Sequence, residues 1–143
     1  MRKIIIFLVL SLIFIPTLAL AQLTKDNEVE GALKVNGNLY SRRYALSDGS
    51  TIAVDWNNGN VQSVTLGGNR TFSFTNGQDG GKYVLIIKQG GAGPYTPAWP
   101  ASVRWPKGIT VNLTQTVGKT DYFGFIYNGV DSKYDVVAYT KNL

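Results

Sequence analysis

Histidine and cysteine are absent from the 143 residues. That removes the usual nucleophile–base pairs and any zinc site built on imidazole or thiolate. What is left for catalysis is carboxylate chemistry. Asp55, Asp121 and Asp135 lie in or beside stretches of alternating apolar residues. Two of them facing each other across about 5 to 10 Å of a cleft would suit a polysaccharide-degrading enzyme. Their sequence spacing pairs no two of them, and aspartates at strand ends and edges commonly discourage aggregation. The expectation is therefore a non-enzyme with no cofactor. Asp131, in the turn from Asn128 to Ser132, is one acid without the ligand spacing of a calcium loop, so no metal site is expected.

Aromatic residues offer a second kind of chemistry. Trp99 and Trp105 each precede a proline, in a Gly/Pro-rich stretch from Gly90 to Gly108 that holds four of the chain's five prolines. An exposed indole there could stack on a sugar ring while nearby polar groups bond its hydroxyls, and Tyr95 would add a third surface. Tyr95, Trp99 and Trp105 are accordingly the candidate ligand-binding residues, with structural packing as the competing role. Trp56, Phe72, Phe74, Phe123 and Phe125 fit alternating strand faces and are read as core, or as the buried axis of an oligomer.

These side chains must be held by strands. Gln62, Val64 and Leu66 share one side of a first stretch, and Phe72 and Phe74 alternate with Thr71, Ser73 and Thr75 in a second. Tyr83 to Ile87 is apolar on both faces, which predicts a central strand covered on both sides. Ile52, Val54 and Trp56 mark another strand, Ile109, Val111 and Leu113 a further one, and Tyr122–Tyr127 with Tyr134–Tyr139 a closing hairpin. The Gly/Asn-rich breaks between them are read as chain reversals. About seven strands from Thr51 onward predict an all-β fold, an antiparallel β-sandwich, jelly-roll-like or a related barrel. No stretch sustains a helical stripe.

Ahead of this domain, Arg2 and Lys3 precede an apolar run from Ile4 to Ile15, then Pro16 and Ala19-Leu20-Ala21. That order is a secretory signal with its cut after Ala21. The expected organisation is 1–21 signal peptide, 22–49 leader with a short strand over Gly31–Leu39, and 50–143 β-domain. Removing the signal takes net charge from +5 to +3. Arg42-Arg43 is then the only basic doublet, too little for a nucleic-acid surface. Without cysteine, an exported chain of this kind relies on its core or on association between chains.

The order Ile52–Trp56, Gly59–Val61, Val64–Leu66 and Gly68–Phe74, followed by Gly81–Gln89, Trp99–Gly108 and Phe125–Gly129, resembles the C-terminal β-domain of bacteriophage tail-fibre and other virion fibre proteins. Val29 to Leu39 is similar to the glycine-punctuated strands of fibre shafts. The resemblance implies a non-enzymatic attachment or structural module, commonly homotrimeric, that recognises a surface glycan or protein receptor. The chain departs from such fibres in its secretory leader, so the expected location is secreted or cell-surface as well as virion. A monomeric carbohydrate-binding module and an extracellular filament subunit are the alternatives.

Overall fold

A computed structural model describes residues 34–109 and 111–143. The expected signal peptide and the start of the expected shaft-like strand lie outside the described residues. Nine strands follow one another: β1 (Arg43–Ala45), β2 (Thr51–Asp55), β3 (Val61–Leu66), β4 (Arg70–Thr75), β5 (Lys82–Gln89), β6 (Pro97–Ala98), β7 (Val103–Arg104), β8 (Thr120–Asn128) and β9 (Lys133–Thr140). Among the described residues the only helical piece is one 3-10 turn, Trp56–Asn58. The chain is all-β. Residues Leu39–Leu143 form one compact unit; Lys34–Asn38 belong to another and carry neither strand nor helix.

Pairing differs from the antiparallel expectation. β1, β3, β5, β8, β9 and β7, in that order, make a six-stranded sheet, and β2, β4 and β6 make a second of three strands. Only β5–β8 and β8–β9 pair antiparallel, the latter as the expected hairpin. Every other pairing is parallel. From β1 to β7 successive strands alternate between the sheets, so this part of the chain winds as a coil, and β8 and β9 then close the six-stranded sheet as a hairpin. Arg43 lies opposite Val61 and Thr51 opposite Thr71, which sets the first turns of the winding at 18 and 20 residues. Parallel neighbours need a crossover of a dozen residues or more, and in the four parallel pairings from β1 to β6 the strand in the opposite sheet supplies it.

The antiparallel expectation failed because alternation fixes the buried face of a strand and not its neighbour. Gln62, Val64, Leu66 and Phe72 are buried, as their spacing requires. That burial is the same whether the glycine-rich break between β3 and β4 reverses the chain within one sheet or carries it to the other. Side chains from the two sheets meet directly: Phe74 of β4 lies edge-on to Phe125 of β8 at 5.4 Å and to Tyr134 of β9 at 5.2 Å.

The corner after β2 shows how such a transfer is built. Asp55 Oδ1 accepts from the Asn57 amide at 2.9 Å and from Asn76 Nδ2 at 2.8 Å. Gly59 follows at φ +133°, a backbone angle that side chains rarely allow. The buried Gln62 amide then donates to the carbonyls of Asp55 at 2.6 Å and Gly59 at 3.0 Å, fastening the corner from inside. β5 sits between β3 and β8. Its inward Tyr83, Leu85 and Ile87 are buried; of its outward apolar residues Ile86 is buried and Val84 half-buried, so the outer side is less covered than expected.

Three stretches depart from expectation. Lys34–Leu39, the described part of the predicted shaft strand, is exposed and forms no strand. Ile109 and Val111–Leu113, the described part of the further strand expected there, form no strand either, although Leu113 is buried. Its neighbouring backbone groups find side chains instead of a ladder: Asp121 accepts from the Thr114 amide at 2.6 Å, and Asn112 O accepts from Tyr139 Oη at 2.7 Å. β1, within the segment expected as leader, pairs with β3. Its three residues are all exposed and leave no periodic signal.

Candidate functional site

The excursion from Gly90 to Gly108 straps the two sheets together. It adds β6 beside β4 and β7 beside β9, so each of its extended pieces completes a different sheet. Gln89, buried at the end of β5, holds the start of the strap with both amide atoms: Nε2 donates to Tyr95 O at 2.9 Å, and Oε1 accepts from Tyr95 N at 3.1 Å. The backbone of Tyr95 is thereby fixed, and its ring packs half-buried against the core.

Trp99, between β6 and β7, enters the gap between the sheets. Its indole stacks on Phe72 at 5.2 Å and tilts against Phe123 at 4.9 Å, one ring from each sheet. Trp105 meets Trp99 at 5.2 Å, edge to face, and Phe123 at 6.1 Å. Of the three residues singled out in the sequence, Trp99 joins the aromatic core most closely. Trp105 also lines an open depression.

That depression has a volume of about 280 Å³ and is walled by Trp105, Pro106, Ile109, Val111, Val136, Val137, Ala138 and Tyr139. Tyr139 is a wall residue the sequence did not single out. Between Gly124 and Phe125 the β8–β9 register shifts, a bulge that turns β9 by one residue. As a result Tyr139, three positions after the buried Val136, also comes to the inner side and stacks on Phe123 at 4.7 Å. Burial, helped by the Asp121 charge, raises its phenol above the usual range. Strict alternation would have put Ala138 there. Ile109 and Val137 are more than half exposed, so the walls are open apolar surface. Such a groove can receive the flat apolar face of a ring.

The carboxylates hold the fold. Asp48 forms a two-pronged pair with Arg70, at 2.8 and 2.6 Å, and the guanidinium holds its carboxyl below the usual range. Arg104 binds Asp135 at 2.5 and 2.8 Å and Asp131 at 2.8 Å, with the same effect on Asp135. Asp121 is buried and accepts from the Thr114 amide and hydroxyl and from the Asn142 amide, while Asp79 accepts from the Gly129 amide at 2.7 Å. Asp55 serves the corner already described. Among the described residues no cluster of acids is placed to hold a metal ion, and no helix is long and apolar enough to cross a membrane. Comparison of the chain with family models, with curated proteins and with solved structures found no match in any of the three.

Proposed function

We propose that the exported chain is a non-catalytic adhesion or assembly module of the virion-fibre kind. In this reading the two sheets are the layers of a sandwich wound largely from parallel strands, and homotrimers form the working unit. The groove beside Trp105 and Tyr139 takes the face of a sugar ring on a surface glycan. The observation that carries the non-catalytic part is the engagement of all six described aspartates in hydrogen bonds or ion pairs that fasten turns and strands. Leu39 and Tyr40, 80% and 84% exposed just ahead of β1, are the kind of apolar surface that association would cover.

A glycan array comparing the mature protein with Trp105→Ala tests the sugar site. Binding that the substitution abolishes is the expected result; binding that survives it unchanged removes the groove from the function. Light scattering tests association, and a stable monomer would favour a monomeric carbohydrate-binding module instead. Release of reducing ends from any arrayed polysaccharide, lost in Asp135→Asn or Asp121→Asn, would overturn the non-catalytic reading.

A further inference from the structure

A second concave surface lies on the outer face of the six-stranded sheet, away from the aromatic core. It crosses β1, β3, β5 and β8 and has a volume of about 500 Å³. Register fixes what it displays. Ala45, Ser63, Ile86 and Tyr122 stand side by side across the four strands, and Thr65, Lys88 and Thr120 form a neighbouring row. Arg43 lies at the other side of the same surface, next to Val61.

The polar groups here are open to a ligand, as are most of the described surface cations. Arg70 and Arg104 are paired with aspartates. Among the described residues, neither Arg43 nor Lys88 has a side-chain hydrogen bond or ion pair, and the hydroxyls of Ser63, Thr65, Thr120 and Tyr122 have no partner either. No carboxylate lines the surface. Strand spacing and rise separate the Arg43 and Lys88 backbone positions by roughly 16 Å along a diagonal. Two cations set that far apart, with hydroxyls between them and a Tyr122 ring that is 37% exposed, suit an extended ligand more than a single small anion.

We infer that this face binds an acidic oligosaccharide, its carboxylates or sulfates meeting Arg43 and Lys88, its hydroxyls the Ser63, Thr65 and Thr120 side chains, and one ring face Tyr122. Charge complementarity carries the assignment, since the surface holds cations and hydroxyl groups and all six described aspartates bond elsewhere. The site is separate from the Trp105 groove and stands or falls independently of it.

The test is calorimetric titration of the mature protein with a heparin hexasaccharide, an oligogalacturonate, a neutral cello-oligosaccharide and a single-stranded oligonucleotide. Arg43→Gln, Lys88→Gln and Tyr122→Ala are compared with Lys107→Gln, which removes one exposed charge elsewhere, and circular dichroism checks that each variant keeps its sheet content. The expected result is binding of one or both acidic saccharides, with the neutral saccharide unbound at the same concentration. Affinity should weaken as salt rises, fall at least tenfold in each of the three groove variants and change less than twofold in Lys107→Gln. Failure of both acidic saccharides to bind would overturn the inference. So would equal losses in Lys107→Gln, or an oligonucleotide that binds as tightly as the saccharides and responds to the same variants.

Discussion

Trp99 and Phe72 stack with their rings 5.2 Å apart and only 21° from parallel, although 27 residues separate them along the chain. Phe72 belongs to the three-stranded sheet, and the same indole lies 4.9 Å from Phe123 of the six-stranded sheet. One side chain of the strap therefore touches both sheets. Trp99→Ala should lower stability by about 3 kcal/mol or more, the range found when large aromatics are removed from a packed interior. Trp105→Ala should cost clearly less, because one side of that ring faces the open groove. Urea unfolding followed by circular dichroism measures both. Equal losses would show that Trp105 is as much a part of the core as Trp99, and would weaken its role as a ligand platform.

The strap also depends on how closely it leaves β5. A Cβ placed on Gly90 would collide with the backbone carbonyl of Leu66 at the end of β3. Backbone cannot yield as a flexible side chain can, so Gly90→Ala should destabilise the protein by about 2 kcal/mol or more, as expected of strain forced on a packed backbone. Gly91, whose added Cβ would meet nothing within 4 Å, is the matched control. Gly91→Ala should leave the urea midpoint nearly unchanged. A Gly90→Ala protein as stable as wild type would mean that the β3 and β5 ends separate easily.

Which faces are buried was legible in the sequence, and which strands are neighbours was not. Ile52, Val54, Gln62, Val64, Leu66 and Phe72 all point inward as their spacing requires. Periodicity is a property of one strand, whereas pairing depends on where each corner sends the chain. The corner at Trp56–Gly59 looks like a hairpin loop in composition, yet the Asp55 cap and the Gln62 amide turn it into a passage between sheets. The candidate site was legible to a similar degree. Trp105 could be singled out by its place in a proline-rich excursion, but Tyr139 could not, because its inward position follows from a bulge in the β8–β9 ladder. Arg43 and Lys88 come together only through the parallel β1–β3–β5 pairing, which no local pattern announces.

Gln62 offers a direct test of the corner. It is fully buried, and its Nε2 bonds the Asp55 and Gly59 carbonyls. Gln62→Leu keeps the volume and removes both donors, leaving two backbone acceptors without their partner. The cost should be about 1 to 3 kcal/mol, that of stranding buried polar groups, despite the gain in apolar character. Denaturant unfolding checks it. A Gln62→Leu protein more stable than wild type would show that water reaches those carbonyls and that the amide is not what fastens the passage.

Tyr134 sets the response to alkali. Its hydroxyl accepts from the Gly77 amide at 3.0 Å, and its ring is buried against Phe74, Trp56 and Tyr127. Burial pushes its phenol up to about 12, with the Gly77 hydrogen bond acting in the opposite sense. The unfolded chain, with an ordinary phenol, gives up its proton near pH 10 while the folded protein still keeps it. Between those two values the folded state binds more protons than the unfolded one, so stability falls as pH rises through that window and is unaffected by this group below it. Tyr139, raised in the same direction by burial, adds to the loss. Urea midpoints measured from pH 8 to above pH 10 should stay level and then drop. In Tyr134→Phe the alkaline drop should be shallower, even though the variant loses the Gly77 contact and starts from a lower midpoint. An equally steep drop in Tyr134→Phe would place the sensitivity in other tyrosines.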